Sequence, residues 1–281
     1  MLIGHGKIFD RLKTLGEAGK LHPAQLFIGP EHLGKTKVAL LLAVALQGAA
    51  DNVILKKHIF EGVNADTLLF LDDGENLPIE TVRKMVERAN QSHSFPYLIF
   101  VIENIGRMKV EAVNALLKTV EEPHENTLFF LTANQEDDVL PTLRSRCHVS
   151  YFQTLSDELL RDMCDGNVYS DQLLFFAMGR PGKLRRLLDD KDYFQAHQEI
   201  LQDLAVFLEN PNTPAAFELS RKYEAHELLE EMLDVLLRRA HSLARSRELP
   251  SVLSHLDFTR TVEHIESCKQ GLKSNVNRKL L

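Results

Sequence analysis

The chain of 281 residues has no tryptophan and only three cysteines, Cys147, Cys164 and Cys268. They are far apart and odd in number, which argues against a disulfide framework and against a clustered zinc site. A reducing cytoplasm suits that usage. No apolar run approaches the length of a membrane span, and no basic segment followed by an apolar stretch and a cleavage site opens the sequence. Internal repeats and low-complexity tracts are also missing. Positive charge is in short supply: 33 Lys and Arg stand against 40 Asp and Glu, for a net charge of -7. That balance disfavours a dedicated nucleic-acid binder working alone. It does not exclude DNA contact made only within a larger assembly. The 44% hydrophobic content is enough to bury a core, and the length suggests about two domains.

Residues Gly29 to Thr36 read Gly-Pro-Glu-His-Leu-Gly-Lys-Thr, a complete Walker A loop. Before it lies the apolar run Ala24-Gln25-Leu26-Phe27-Ile28, a buried strand by pattern. After it comes a helix carrying Val38, Leu40, Leu41, Val44 and Leu46. Such a loop turns several backbone N–H groups toward one anion at a helix N-terminus. Gly29 and Gly34 supply its turns, Lys35 neutralises terminal phosphates, and Thr36 offers a hydroxyl to Mg²⁺. Nucleotide binding, or descent from a nucleotide binder, is the expectation.

Hydrolysis needs a second segment. Tyr97 to Ile102 is a continuous apolar run of the kind expected for a central parallel strand. An active ATPase ends this strand in two acids, one holding Mg²⁺ and one polarising the attacking water. Here the strand ends in Glu103 and Asn104. Glu103 still offers a metal ligand, but an amide cannot serve as a general base. A second run, Thr67 to Leu71, ends in Asp72-Asp73 and also satisfies a loose Walker B pattern. Pattern alone does not choose between them. The segments that follow lean toward Glu103, because Asp72-Asp73 enters a loop. Glu103 precedes a helix striped by Val113, Leu116, Leu117 and Val120.

The segment Asn114-Ala115-Leu116-Leu117-Lys118-Thr119-Val120-Glu121-Glu122-Pro123 closely resembles the bacterial DNA polymerase III clamp-loader ATPases. So does Leu140-Pro141-Thr142-Leu143-Arg144-Ser145-Arg146-Cys147. Leu21-His22-Pro23-Ala24 is similar to that family as well. The likeness covers about residues 1–190, and the remainder only in helical character. It implies an α/β AAA+ P-loop module over 1–153, with a parallel sheet and helices on both faces. A small helical lid over 154–190 and an all-α collar over 191–281 would follow. It also implies that Arg146 is an arginine finger acting in trans and that Asn134 is the sensor residue. The implied partners are gamma/tau-like and delta-like subunits in a hetero-pentameric ring, the sliding clamp, and primer–template DNA through the assembled complex.

Three departures separate the chain from the motor subunits of that family. Glu103-Asn104 replaces Asp-Glu, Gly182 stands where motors carry a sensor arginine, and the zinc-binding cysteine module is missing. The first two favour the delta-prime branch, which supplies a finger without relying on its own hydrolysis. Under that reading ATP or ADP with Mg²⁺ would be structural, held by Gly29, Gly34, Lys35, Thr36, Glu103, Asn104 and Asn134, with Thr36 and Glu103 toward the metal. No zinc is expected, and little or no autonomous ATPase. The alternative is a catalytically active gamma/tau-like motor, or another nucleic-acid-processing AAA+ ATPase.

Strands are expected at about 24–28, 67–71, 97–102, 127–132 and 148–152, with only helices beyond about 153. Those helices fall near 157, 170–178, 181–190, 193–209, 213–223, 226–247 and 250–272, and Lys273 to Leu281 reads as a frayed end or an assembly tail. Several features have plain readings. His22 and His32 suit exposed loop positions, and Cys147 suits a small buried residue. The leucine stripe at 228–244 suits bundle core. Lys183, Arg185 and Arg186 fit a solvated helix face about as well as a phosphate or DNA contact.

Overall fold

The central strands are buried at every position, so each is covered on both sides. Their alternate side chains sort into two cores. The structure, a computed structural model, describes residues 2–209, 213–223 and 226–246, together with 263, 265, 267 and 268 singly. Five parallel strands, β1 (Ala24–Ile28), β2 (Thr67–Phe70), β3 (Leu98–Ile102), β4 (Thr127–Ala133) and β5 (His148–Tyr151), form one sheet. Their order is β2-β3-β4-β1-β5. The expected strand positions hold to within about one residue, the usual uncertainty of a strand end.

Helices α1 (Gly6–Glu17), α2 (Lys35–Leu46) and α3 (Val53–Phe60) share a core with Phe27, Ile99, Val101 and Phe130. The opposite core joins Leu26, Phe100, Ile102 and Phe129 to α4 (Ile79–Ala89) and α5 (Val110–Glu121). A strand's period of two sends neighbouring residues to opposite faces, so Leu26 and Phe27 belong to different cores. Phe100 and Phe129 stack at 5.0 Å between ring centroids across the β3–β4 pair. Helix α2 is apolar nearly all round, as a helix buried against a sheet should be. Helices α1 and α3 were not anticipated. Asn52 caps α3, its side chain accepting from the Leu55 N–H at 3.0 Å, a local signal legible in the sequence.

The remaining helices are α6 (Pro141–Arg144), α7 (Asp157–Arg161), α8 (Ser170–Ala177), α9 (Pro181–Asp189), α10 (Lys191–Glu209), α11 (Thr213–Lys222) and α12 (His226–Ser246). No strand occurs beyond β5 among the described residues. The expected helix at 250–272 and the tail from Lys273 lie outside the described residues, apart from the four single positions. Two compact units emerge. One runs to Leu160 and takes in Gly179–Gly182; the other comprises Arg161–Met178 and the residues from Lys183 onward.

The second unit corrects the reading of Lys183. Its side chain is 1% exposed and pairs with Glu231, while Asp234 lies 3.8 Å away. His197 Nε2 stands 3.0 Å from the Glu231 carboxylate, and the Tyr193 hydroxyl donates to it. A solvated face was the wrong expectation because α9, α10 and α12 enclose this position. Buried charges persist only when paired. Arg185 behaves as expected of a surface residue, pairing with Asp189, whereas Arg186 lies over the Tyr193 ring at 3.8 Å. The leucine stripe is partly bundle core: Leu229, Met232 and Leu233 are buried, together with Val235 and Asp234.

Candidate functional site

Parallel strands carry their ligand sites outside their carboxyl ends, and β1 delivers the Gly29–Thr36 loop to that edge. Gly29 has φ 155°, and a Cβ there would stand 2.2 Å from the Phe152 carbonyl oxygen, so only glycine fits. Gly34 has φ 84° at the start of α2. Lys35 follows, with 7% of its surface exposed. Its Nζ donates to Gly29 O, to Pro30 O at 2.8 Å and to Asn134 Oδ1 at 3.3 Å. The loop's own carbonyls thus hold the cation that an anionic ligand would claim. Burial pulls the Lys35 pKa down to about 8, against the opposing charges of Glu31 and Glu103.

A cleft of about 500 Å³ opens beside this loop, with Thr36, Asp72, Glu103, Asn104, Thr132 and Asn134 in its wall. Thr36 Oγ1 donates to Glu103 Oε1 at 2.6 Å, which joins the start of α2 to the end of β3. Asn134 follows β4, and its Nδ2 donates to Glu31 Oε1 at 2.6 Å. The structure therefore brings together Gly34, Lys35, Thr36, Glu103, Asn104 and Asn134 around one cleft, with Gly29 at the root of the loop. The contest between the two acid-ended strands has a mixed result. Glu103 meets Thr36, yet Asp72 also lines the cleft. The sequence reading leaned toward Glu103 over Asp72. Its signal was the β2–β3 neighbour relation, which places both strand ends at the same edge.

Gly182 is drawn onto the Gly29–Thr36 loop. Its N–H donates to His32 O at 2.8 Å, and a Cβ at this position would come within 2.9 Å of that oxygen. A longer side chain would displace the loop. His32 is exposed with φ 64°.

Arg146 is not part of this cleft wall. It follows α6, where its Nε donates to Glu121 Oε2 at 2.8 Å and its Nη1 to Thr142 O at 2.9 Å. One third of the side chain is exposed, at 33%. Next to it, partial burial raises the Cys147 pKa to about 12; the side chain is half-buried against the sheet core, not fully buried as expected.

Three comparisons bear on this geometry. Residues 4–156 match the family described as DNA polymerase III, delta subunit. The chain is 31% identical over 156 residues to the Bacillus subtilis DNA polymerase III subunit delta', covering 52% of this chain and 46% of that one. It is 30% identical over 169 residues to the Mycobacterium bovis DNA polymerase III subunit gamma/tau, covering 57% of this chain and 29% of that one. The chain thus spans less than half the length of either curated relative. A DNA polymerase III gamma subunit-related protein from Thermotoga maritima superposes with a TM-score of 0.57 at 18% identity, over 97% of this chain and 95% of that one. That likeness supports the fold: a parallel sheet followed by helices. With more than half of its length matched, from ahead of the Gly29–Thr36 loop to the segment beyond Arg146, the chain belongs to the DNA polymerase III delta-subunit family of clamp-loader proteins.

Proposed function

We propose that this chain is a delta-prime-like subunit of a clamp loader, one that binds nucleotide without hydrolysing it and supplies Arg146 to a neighbouring ATPase subunit. The observation that carries the reading lies at the end of β3. Glu103 meets the Thr36 hydroxyl, and the next residue is an amide, which leaves no general base in the place where an ATPase has one. The residues present fit a magnesium nucleotide. The loop N–H groups and Lys35 would hold phosphate oxygens, Thr36 and Glu103 would face Mg²⁺, and Asn134 would stand by the terminal phosphate. The metal would neutralise phosphate charge.

The same reading keeps the division into an AAA+ module over 1–153, a lid over 154–190 and a collar over 191–281. It puts the chain in the cytoplasm, in a hetero-pentameric ring with gamma/tau-like and delta-like subunits. There it would act with the sliding clamp and primer–template DNA. A gamma/tau-like motor is the second reading, favoured by the complete Walker A loop and by the gamma/tau relative.

ATP turnover by the purified chain separates the two. The delta-prime reading expects weak nucleotide binding and no turnover above background, and sustained steady-state hydrolysis would refute it. Binding should also depend on pH in a defined direction. Burial lowers the Lys35 pKa to about 8, and a bound phosphate favours the ammonium form, so binding above that pH takes up a proton. Affinity should be highest below pH 8 and fall by roughly tenfold between about pH 7 and pH 9, each pH unit above the pKa costing up to a factor of ten. Calorimetry in two buffers of different ionisation enthalpy measures the proton uptake directly. Zero uptake at about pH 8.5 would mean that Lys35 is not the phosphate contact.

A further inference from the structure

The register of β2 on β3 sets Phe70 against Ile102, so the residues that leave the two strands arrive at the same edge. The Glu103 N–H donates to Phe70 O at 2.9 Å, and the Asp72 N–H donates to Glu103 Oε2 at 3.0 Å. Asn104 then turns with φ 50° and ψ 70°, an uncommon conformation that asparagine tolerates better than most side chains. Its N–H is held by Thr132 Oγ1 at 2.9 Å. Its side-chain Nδ2 donates to Asp72 Oδ2 at 2.6 Å.

The Asp72 carboxylate is fixed from the other side as well. Oδ1 accepts the Gly74 N–H at 2.9 Å and lies 3.0 Å from Arg107 Nε. Arg107 is buried and grips the same loop through Asp73 Oδ1 at 2.6 Å, Glu75 O at 2.9 Å and Leu71 O at 2.8 Å. Every group that faces the Asp72 carboxylate in these contacts is a donor. An ionised carboxylate only accepts, so the residue at 104 must present a donor to it. This also orients the Asn104 amide, because its oxygen against Asp72 Oδ2 would place two acceptors together.

We propose that Asp72 is the positioning residue for position 104: the two form a matched donor–acceptor pair that anchors the Asn104 amide on the β2 side and bars an acid from that place unless Asp72 is changed with it. Asp72 is the cleft carboxylate beside Glu103, and its donors hold it in the acceptor role. The inference rests on reading the site as one that binds nucleotide without hydrolysing it, and it adds the reason that a single reversion at Asn104 would not rebuild a base.

The test exchanges the two side chains. Asn104→Asp faces one carboxylate with another at hydrogen-bond distance, and two such groups cannot both ionise. The other charged groups around the pair are Glu103, Arg107, Asp73 and Lys35, none of which these variants alter. Thermal unfolding is followed at about pH 5.5, 7 and 8.5 for Asn104→Asp, Asp72→Asn and the double exchange. The expected result is a loss on the order of 5 °C for Asn104→Asp at the highest pH. That loss should shrink on acidification, as one of the two carboxyls takes up a proton. The double exchange restores both the parent's stability and its pH profile. In it the amide at position 72 would donate to the carboxylate at position 104, and the amide oxygen would still accept from the Gly74 N–H.

Should Asn104→Asp not fold at high pH, the double exchange carries the test alone: a folded, parent-like protein supports the pair. Asn104→Asp matching the parent at every pH would overturn the proposal, as would a double exchange no more stable than Asn104→Asp. The readout needs no nucleotide. A chain that fails to bind ATP but passes the exchange test would sink the nucleotide reading and leave the pair intact.

Discussion

Replacing Arg146 by alanine is expected to lower ATP hydrolysis at the neighbouring subunit of a rebuilt ring by on the order of a thousandfold, without altering that neighbour's sequence. A guanidinium is charged at any working pH and presents its donors in a rigid fork that matches phosphate oxygens. Supplied across an interface, it stabilises charge that develops on the transferring phosphoryl group. In this chain alone the fork is held by Glu121 and by the Thr142 carbonyl. Both side chains of the Arg146–Glu121 pair are solvent-accessible, at 33% and 53%, and such pairs contribute at most about 1 kcal/mol. Arg146→Ala should therefore fold and assemble, which isolates the catalytic effect. Arg146→Lys should recover little, since a point charge does not reproduce the fork. The measurement is clamp- and DNA-stimulated ATPase of rings verified as intact. Full activity with Arg146→Ala would remove the finger role.

The largest stability effect is expected in the helical unit. Lys183→Ala leaves Glu231 and Asp234 in a site closed by α9, α10 and α12, with their buried cation removed. Breaking a buried ion pair from one side costs about 3–5 kcal/mol. Burial alone would push the Glu231 pKa up, but the hydrogen bond from His197 and the charge of Lys183 outweigh it and hold the carboxyl well below its usual range. A carboxylate whose folded pKa is depressed contributes its stability in full above the unfolded value, 4.5 here, and loses it as pH falls through the folded value. The gap between parent and Lys183→Ala should thus be widest near neutrality and narrow in acid. Urea denaturation with hydrogen exchange read at α10 and α12 would detect it. A loss under about 1 kcal/mol at neutral pH, the range of an exposed pair, would show that Lys183 is not supporting this cluster.

Much of the sheet unit was legible because its signals are local. An unbroken apolar run marks a strand covered on both faces, and Gly29 and Gly34 mark a loop that no other residue could build. The Asn in place of a second acid after Glu103 was visible for the same reason. The arrival of Gly34, Lys35, Thr36, Glu103, Asn104 and Asn134 at one cleft followed from parallel strands sharing a carboxyl edge.

The rest depended on which elements become neighbours, and periodicity does not encode that. Chain order places β2 between α3 and α4, but only strand pairing sets it on β3 and carries Asp72 into the cleft. Lys183 looked like a surface cation because α9 alone shows charge on that face. Helices α10 and α12, contributed by residues up to Asp234, turn the position into an interior one. Gly182 shows in the sequence only as a glycine where a sensor arginine is expected, and the approach of its N–H to His32 O is set by the tertiary structure. The sequence by itself determined the Gly29–Thr36 loop, the strands and the amide that follows Glu103, since each depends on bonds and contacts within a few residues. Only the tertiary structure decided the partners of Asn104, Lys183 and Gly182, because long-range pairing sets whether a polar side chain meets water or another charge.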